Sequence, residues 1–535
     1  MSTDQIDYAG QQKLVAALVG GHCFPHALDG VRLIETHISW VLIAGIYAYK
    51  IKKALNLGFL NFTNLPARQF YCNEELRLNR RLAAGVYLDV IPIGGKADAP
   101  EIGAQPAIEY AVRMLSFIPE NQLDHLLEQG KILPQQLDDL AASLADFHRD
   151  LPPAKIESEF GKPAAIHAVT RQNFEQLRTL LAEKADCDAI ANLSGITEIA
   201  LSQCEKYFNQ RHQQGYVREC HGDLHMGNIV LIEKRLVPFD GIEFDPALRW
   251  IDVLDEVSFL VMDLLHAQRS DLAFRFLNAY LEQTGDYAGL SVLSFYMAYR
   301  AMVRAKVCAL RASQAVKSDD VRQREMTACR SYLALAAECL TRHRPVLMIT
   351  HGLPGSGKST FAKAALEKYQ AIRIRSDVER KRLSGLLPLD DSRAISGNDL
   401  YSADMTWRTY NHLHELARQI LSAGYSVIVD AAFLKQDERA QFYQLALNMS
   451  VPFAIISMKA TTPTLKSRVM LRRNSANDAS EADVGVLEKL QIAQDLLFPH
   501  EIDSAVEFQN ENDSDGIAAD NPGWAELERL LLLRQ

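Results

Sequence analysis

The chain has 535 residues, of which 48% are hydrophobic and 23% charged, a composition that is ordinary for a globular enzyme. This length favours two or three domains over a single core. The net charge of −10 argues against a broad nucleic-acid surface, which usually needs a basic face, so we expect no nucleic-acid partner.

Residues from about 30 to 95 predict strands followed by a helix. The stretches ISWVLIAG and IYAYKIK are rich in β-branched and aromatic residues, and NEELRLNRRLAAG has the apolar period of a helix. Lys50 on the second strand is our candidate for binding the α- and β-phosphates of a nucleotide, and Glu75 on the helix is its candidate partner. Since side chains alternate along a strand, Lys52 shares the face of Lys50, and Lys52 and Glu74 stay open as alternatives.

Residues 105 to 215 predict mostly helices, and residues 217 to 240 predict a strand, a loop and two further strands. The loop contains CHGDLHMGN. A kinase catalytic loop needs an aspartate that accepts the proton of the substrate hydroxyl. It also needs an asparagine five residues later, and a carboxylate after a hairpin, to hold Mg²⁺. Asp223, Asn228 and Asp240 have this spacing.

Two features of this region differ from the protein-kinase template. Gly222 replaces the arginine that, in protein kinases, responds to phosphorylation of the activation loop. This difference argues against a phospho-regulated protein kinase. The downstream motif is D-G-I-E, so Asp240 and Glu243 compete for the metal-binding role, and spacing favours Asp240. Asp252 and Asp255 begin the next helical region and are candidates to anchor the catalytic loop.

The pattern H-G-D-x-H-x-x-N, from His221 to Asn228, resembles the aminoglycoside phosphotransferase and choline kinase-like group, which acts on small-molecule hydroxyls. The resemblance implies an α+β, protein-kinase-like fold that uses ATP and Mg²⁺, with Asp223 as the base. We assign His225 to substrate binding. A zinc site built from the cysteine, histidine and aspartate side chains of the loop is an alternative that leaves Asn228 and Asp240 unexplained.

Helical character continues to about residue 342, where the segment Arg-His-Arg-Pro interrupts it. Beyond it the pattern becomes strand, loop and helix, as in an α/β domain with a parallel sheet. We therefore predict a domain boundary near residue 343, with one domain at 1–342 and the other at 343–535.

The second domain begins with a nucleotide-binding motif. After the strand VLMIT and before the helix TFAKAALEKY, the segment GLPGSGKS fits GxxxxGK[ST] without a mismatch. Glycines let backbone N–H groups surround phosphates, and the helix N-terminus adds a positive end. Lys358 is expected to reach the phosphates, and Ser359 to ligate Mg²⁺. The predicted nucleotide-binding residues are Gly352, Gly355, Ser356, Gly357, Lys358, Ser359 and Thr360.

Three further segments supply candidate residues. IRIRSDVERKRL predicts a strand that ends at Asp377, a candidate base, and Arg380 lies one helical turn later to bind an anionic group. YSVIVDAAF predicts a strand that ends at Asp430, a candidate for contact with substrate or with the magnesium site. Arg468 and Arg472, in LKSRVMLRRNSANDASEAD, are predicted to close over the transferring phosphoryl group as a lid.

Residues 345 to 500 resemble the small P-loop kinases of the polynucleotide kinase, zeta-toxin and chloramphenicol phosphotransferase group. The resemblance depends on the P-loop, on S-D-x-x-R at Ser376–Arg380 and on the segment D-A-S-E-A after the arginines. It implies Asp377 as the base. The order of the two halves resembles bacterial proteins that fuse an aminoglycoside phosphotransferase-like domain to an ATP-binding domain.

The sequence therefore predicts a bifunctional, ATP- and Mg²⁺-dependent kinase that acts on hydroxyls of a small molecule, such as a sugar or an aminocyclitol-like metabolite. A nucleotide or RNA 5′-hydroxyl kinase in the second half is one alternative. An ATP-binding regulatory switch with one degenerate site is another. We expect a cytoplasmic protein without a membrane partner, because MSTDQIDYAG does not resemble a signal peptide and the eight cysteines form no CxxC pair.

Overall fold

The computed structural model describes residues 6–26, 29–56, 58, 60–314, 318–341, 344–388, 390, 400, 402–472, 484–511, 516–518 and 520–533. Its backbone contacts divide the chain into two compact units. The first unit is Met1–Asn173 with Glu205–Asp263, and the second unit is Phe174–Cys204 with Leu264–Gln535. The predicted boundary at residue 343 lies outside the described residues and stays a prediction.

The first unit begins with a six-stranded antiparallel sheet in the order β1-β2-β3-β6-β4-β5. Its strands are β1 (Val31–Glu35), β2 (Ser39–Ala44), β3 (Tyr47–Lys52), β4 (Tyr87–Lys96), β5 (Ala99–Ile102) and β6 (Glu109–Leu115). Helix α1 (Tyr8–Val19) precedes the sheet, and helix α2 (Leu65–Ala83) separates β3 from β4. The strand β6 corrects our expectation of helices from residue 105 onward.

Alternation along β3 decides where the two candidate lysines lie. Tyr49 and Ile51 are buried in the apolar cluster that includes α1. Ala48 lies in the opposite cluster, which includes α2, and the side chains of Lys50 and Lys52 share that face. Both lysines therefore face α2.

The rest of the first unit consists of helices and two short strand pairs, β7–β10 and β8–β9. These elements are α3 (Leu123–Glu128), α4 (Pro134–Asp150), β7 (Val217–Glu219), β8 (Ile229–Ile232), β9 (Arg235–Pro238) and β10 (Trp250–Asp252). Three helices contribute residues to both units: α5 (Pro163–Leu180), α6 (Lys184–Gln213) and α7 (Val253–His266).

The second unit contains a five-stranded parallel sheet in the order β12-β13-β11-β14-β15. Its strands are β11 (Leu347–His351), β12 (Ile372–Arg375), β13 (Val427–Asp430), β14 (Phe453–Lys459) and β15 (Ala505–Gln509). Its helices are α8 (Ser270–Thr284), α9 (Leu290–Gln314), α10 (Asp319–Leu340), α11 (Lys358–Tyr369), α12 (Ser376–Leu383), α13 (Ala403–Ser422), α14 (Gln436–Met449), α15 (Thr462–Arg472), α16 (Val484–Ala493), α17 (Pro499–Ile502) and α18 (Pro522–Leu533).

Helix α8 covers the edge of this sheet. The Asn278 side chain donates to the carbonyl of Ala371 at 2.9 Å and accepts from the amide of Arg373 at 2.6 Å. Its neighbour Glu282 binds Arg373 at 3.0 Å and Arg375 at 2.9 Å. The edge strand β12 is thus hydrogen-bonded on both sides.

Among the described residues, no helix is both long and apolar enough to cross a membrane.

Candidate functional site

The loop that we predicted to be catalytic holds Asp223, His225 and Asn228 close to one another. Asn228 donates from its amide nitrogen to the Asp223 carboxylate at 2.8 Å and to the Asp223 carbonyl at 3.1 Å. His225 Nε2 lies 3.5 Å from the same carboxylate. A third of the Asp223 side chain is exposed, whereas Asn228 is buried. The loop therefore holds one accessible carboxylate in a defined orientation.

The backbone of this loop is anchored by Glu256 on α7. Its carboxylate accepts from the amides of His221 at 3.0 Å and Gly222 at 2.7 Å, and His148 lies 3.3 Å away. Burial raises the pKa of Glu256, but the hydrogen bond from His148 and the other partners outweigh it and lower the pKa to about 2. The sequence had offered Asp252 or Asp255 for this role. Asp252 binds Arg211 at 2.6 Å.

Two lysines and three carboxylates form a buried ion network on the face of β3 that meets α2. Glu75 contacts Lys50 at 2.9 Å and Lys52 at 2.6 Å, one lysine at each oxygen. Lys50 also binds Asp240, and Lys52 also binds Glu243. Lys52 and Glu75 are fully buried, whereas 42% of the Asp240 side chain is exposed. The more accessible pair is Lys50 with Asp240.

Charges within this network fix its protonation. Burial lowers the pKa of Lys50, but Asp240 and Glu75 outweigh burial and raise that pKa well above its ordinary value. Burial raises the pKa of Glu75, but the two lysines outweigh it and lower the pKa to about 2. Burial is the dominant influence on Glu243, and its pKa is raised. Both lysines are therefore cations at neutral pH.

The alternative glutamate, Glu74, faces away from the two lysines. It binds Arg77 at 2.6 Å and Arg249 at 3.2 Å. The hydrogen bond from Arg77 lowers the pKa of Glu74. The sequence left Glu74 and Glu75 as alternatives. The contacts of α2 distinguish them, because of these two glutamates only Glu75 contacts the lysines of β3.

Asp240 is held at the end of the β8–β9 hairpin, next to the catalytic loop. The amide of Phe239 donates to the Asn228 carbonyl at 2.9 Å, and His221 Nε2 lies 2.9 Å from the Phe239 carbonyl. The Asp240 backbone has a positive φ of 63°, and its amide donates to the Tyr87 hydroxyl at 3.1 Å. Because Phe239 directly precedes Asp240, its hydrogen bond to Asn228 holds Asp240 next to the catalytic loop.

In the second unit, the loop between β11 and α11 is built on glycines whose backbone requires them. Gly352, Gly355 and Gly357 have φ values of 145°, 84° and 97°. A Cβ atom at Gly357 would lie 2.0 Å from the Asn510 amide nitrogen. Lys358 begins α11, and its ammonium donates to the Leu353 carbonyl at 2.9 Å. The loop has the curled backbone that surrounds phosphates in a P-loop.

The residues that are candidates for binding the phosphoryl acceptor lie near the carboxyl ends of the parallel strands, as the P-loop does. β12 ends at Arg375, so Asp377 lies in the first turn of α12 and not at the strand end that we predicted. Arg380 follows in the same helix and is buried. Asp430 is the last residue of β13 and is 5% exposed, and its Oδ2 has no hydrogen-bond partner among the described residues.

The structure describes only part of the segment that we predicted to close over the phosphoryl group as a lid. Arg468 on α15 donates to the Gly355 carbonyl at 3.3 Å and to the Asn510 carbonyl at 3.0 Å. Arg472 is the last residue of α15, and Arg473 with the segment 478–482 lies outside the described residues. Ser359 and Thr360 lie in the first turn of α11, half-buried.

Several residues of these sites were missed from the sequence. Asn510 donates to the Ser356 carbonyl at 3.2 Å, and Asp263 accepts from the Met226 amide at 3.0 Å. His351 precedes the P-loop, is buried, and its Nδ1 lies 3.3 Å from the Ser457 hydroxyl. Burial and nearby cations lower the pKa of His351 to about 4. No motif contains these residues, so sequence spacing gives no signal for them.

The structure indicates a different candidate metal-binding group from the one that the sequence suggested. Among the described residues, His148, Cys220 and Glu256 have ligand atoms within 4.8 Å of one another. Only Cys220 belongs to the set considered for zinc. Since the Glu256 carboxylate already accepts backbone amides and approaches His148, its contacts are those of a loop anchor.

Comparison with known proteins agrees with both halves of this description. Residues 66–290 match the phosphotransferase enzyme family, and residues 347–497 match a family described as an AAA domain. A choline/ethanolamine kinase family protein from Mesorhizobium loti has 13% identity and a TM-score of 0.36, covering 62% of this chain and 98% of its own. Kti12 of Chaetomium thermophilum, solved with ADP-AlF3, has 18% identity and a TM-score of 0.26, covering 35% and 96%.

The chain is thus a kinase with an N-terminal phosphotransferase, protein-kinase-like fold and a C-terminal P-loop kinase-like domain with a parallel sheet. This confirms the fold predicted from the sequence. An uncharacterized protein of Mycobacterium tuberculosis strain H37Rv is 30% identical over 495 residues, which is 91% of this chain and 95% of the relative. The chain belongs to the family of that mycobacterial protein.

Proposed function

We propose that the chain is a bifunctional kinase that transfers the γ-phosphoryl group of ATP to hydroxyls of a small molecule, such as a sugar or an aminocyclitol-like metabolite. One observation carries the proposal: each unit has a carboxylate on the same side of the unit as the groups that we assign to phosphate binding. In the first unit Asp223 contacts Asn228, near the Lys50–Asp240 pair. In the second, Asp377 lies at the sheet edge that carries the P-loop.

The first site has the chemical groups that an ATP–magnesium complex requires. Asn228 and Asp240 supply amide and carboxylate oxygens, the ligands that Mg²⁺ prefers. Lys50 supplies a buried cation for phosphate oxygens. When bound, ATP and Mg²⁺ would supply the phosphoryl group and neutralise its charge.

The second site fits the same complex through its backbone. Its glycines have no room for a Cβ atom. The Ser356 hydroxyl and Asp430 Oδ2 are buried, and within the part of the chain that the structure describes neither has a hydrogen-bond partner. Buried polar groups of proteins are nearly always hydrogen-bonded, so these two favour a ligand at this edge. Lys358 and Ser359 would bind the phosphates and the ion.

The chain's own residues orient the acceptor and remove its proton. Asp223 accepts the proton of the acceptor hydroxyl in the first site, and its bond from Asn228 fixes which carboxylate oxygen faces the acceptor. Asp377 has that role in the second site, with Arg380 for an anionic group and Asp430 beside the ion. Arg468, bound to the P-loop backbone, stabilises charge on the transferring group.

The test compares wild type with Asp223→Asn and Lys358→Ala, using labelled ATP and a panel of sugars, aminoglycosides and oligonucleotides. We expect two acceptor-dependent activities, each lowered by at least about 100-fold in only one of the variants. Asp98→Asn, an exposed aspartate of the first unit, is the matched control and should leave both activities unchanged.

The other outcomes select the alternatives. Transfer to oligonucleotide 5′-hydroxyls that disappears in Lys358→Ala would identify a nucleic-acid kinase in the second unit. Tight ATP binding without any acceptor-stimulated turnover would identify a regulatory switch and exclude the bifunctional kinase.

A further inference from the structure

A second cluster of charged residues lies on the outer side of α2, separate from the lysine network. It consists of Glu74, Arg77 and Arg81 on α2, Glu219 at the end of β7, and Arg249 just before β10; we call it the arginine cluster. Since α2 carries Glu75 and β7 leads into the catalytic loop, the arginine cluster connects the two halves of the first site.

Arg249 joins three segments with one guanidinium group. Its Nε donates to Glu219 at 3.1 Å, its Nη2 to Glu74 at 3.2 Å, and its Nη1 to the Glu243 carbonyl at 3.1 Å. The residue is 5% exposed. The planar guanidinium fits such a fork, and a lysine ammonium does not have this geometry.

Arg77 and Arg81 add bonds between α2 and the entry to the catalytic loop. Arg77 binds Glu219 at 2.9 Å, and Arg81 donates to the carbonyls of Glu219 at 2.6 Å and Cys220 at 3.1 Å. Burial raises the pKa of Glu219, but hydrogen bonds from Arg77 and Arg249 outweigh it and lower the pKa. The Glu219 carboxylate is therefore charged at neutral pH.

The catalytic loop itself has no side chain at the position where protein kinases carry a regulatory arginine. Gly222 has a φ of 87°, and a Cβ atom there would lie 2.7 Å from the Leu248 carbonyl and 3.3 Å from Arg249 Cα. The backbone next to Arg249 thus occupies the space that a side chain at residue 222 would need. Arg249 supplies a charge close to that place from a different segment.

We propose that Arg249 is a positioning residue, and that the arginine cluster fixes α2 against the entry to the catalytic loop, so that the two halves of the first site keep their relative position. The proposal rests on the kinase function proposed above for the first unit. Arg249 acts through Glu74 on the helix that carries Glu75, through Glu219 at the end of β7, which leads into the catalytic loop, and through the Glu243 carbonyl on the segment after Asp240.

The experiment uses the full chain with Lys358→Ala, which removes the second site from the measurement. Arg249→Gln is compared with Arg113→Gln, another arginine of the first unit, which binds Asp89 on the sheet. We expect Arg249→Gln to lower kcat for ATP turnover roughly 10- to 100-fold, because misplacement of catalytic groups by about 1 Å has effects of this size. The KM for ATP should change much less, and Arg113→Gln should change neither.

A double-mutant cycle separates positioning from a general loss of structure. If Arg249 acts through Glu74, then Arg249→Gln, Glu74→Gln and the double variant lose similar activity, whereas independent effects would multiply. Arg249→Lys keeps the charge without the fork and should have an intermediate kcat. Multiplying effects, or an unchanged kcat in Arg249→Gln, would overturn the proposal.

Hydrogen–deuterium exchange tests the positioning role of Arg249 independently of the proposed kinase function. Asp223→Asn in the same background shows whether the measured turnover belongs to the first site. Independently of turnover, Arg249→Gln should raise exchange in α2 and in residues 220–228 together, with β1 and β2 unchanged. Unchanged exchange in α2 would contradict the positioning role.

Discussion

The two sites that we propose to bind phosphates, around Asp223 and at the P-loop of the second unit, are built by different means. In the first, side chains from α2, β3 and the end of the β8–β9 hairpin meet through ion pairs, and Asp223 and Asn228 contact each other within the catalytic loop. In the second, one continuous loop with three positive-φ glycines turns its backbone around the ligand position. The first depends on charge balance among distant residues, and the second on the absence of side chains.

This difference predicts different weaknesses. An ion network fails when one charge is removed, because the remaining buried charges lose their partners. A backbone cradle fails when a methyl group is added, because the neighbouring atoms have no room to move. Variants of each kind can therefore break one site and leave the other intact.

The largest expected effect is that of Lys52→Met. It leaves Glu75 and Glu243 buried without the lysine between them, so we expect the first unit to lose about 3–5 kcal/mol of stability. Lys50→Met is the matched control, because the partly exposed Asp240 can be hydrated. Urea unfolding and hydrogen exchange of β3 measure the difference. Equal destabilisation by both variants would show that the two lysines are equivalent.

The second effect is a pH dependence that His351 imposes on the second unit. The folded chain keeps His351 neutral, with a pKa of about 4, whereas an unfolded chain protonates it below about pH 6.5. Stability is therefore lost as the pH falls through this window, by up to about 3 kcal/mol. His351→Gln should flatten the change in urea midpoint between pH 7 and pH 5.

The control for that measurement is His500→Gln, which alters an exposed histidine of the same unit. It should keep the pH dependence of the wild type. A His351→Gln variant with the wild-type pH dependence would show that the buried imidazole does not control acid stability.

A smaller effect is expected for Gly357→Ala. The added methyl group would meet the Asn510 amide nitrogen and occupy a backbone with a φ of 97°. We expect affinity for Mg²⁺ with a non-hydrolysable ATP analogue to fall about 10- to 100-fold, since left-handed strain of about 1–2 kcal/mol adds to the steric clash. Calorimetry in an Asp240→Asn background, which weakens the first site, measures it.

Gly424→Ala is the matched control for backbone strain. Gly424 has a φ of 91°, but no atom of the described residues lies within 4 Å of its Cβ position, so it shares the strain without the clash. Unchanged affinity in Gly424→Ala, with a loss in Gly357→Ala, isolates the steric effect. Equal losses would contradict the backbone-cradle interpretation.

The two sites also differ in how far the sequence could predict them. The P-loop is one uninterrupted motif, so its residues could be identified directly. In the first site, the spacing identified Asp223 and Asn228 as candidate residues of one loop, and the structure adds the hydrogen bond between them. The choice between Lys50 and Lys52 could not be made, because strand alternation puts both on one face and Glu75 binds both.

Residues that act from a distance gave no signal in the sequence. Glu256 lies 34 residues beyond Gly222, and Arg249 lies 30 residues beyond Glu219. Glutamate and arginine are common on protein surfaces, so only the fold distinguishes these two from solvated residues. The same holds for the position of Asp377, where β12 ends two residues earlier than the pattern predicted.

The side chain of Asn278 has a practical consequence for work on the ATP-binding half. Its amide takes the place of a neighbouring strand along β12. A recombinant fragment that starts at residue 343 would lack this helix and present a bare strand edge, which invites pairing with other chains and precipitation. Expression trials of that half should therefore begin upstream of α8.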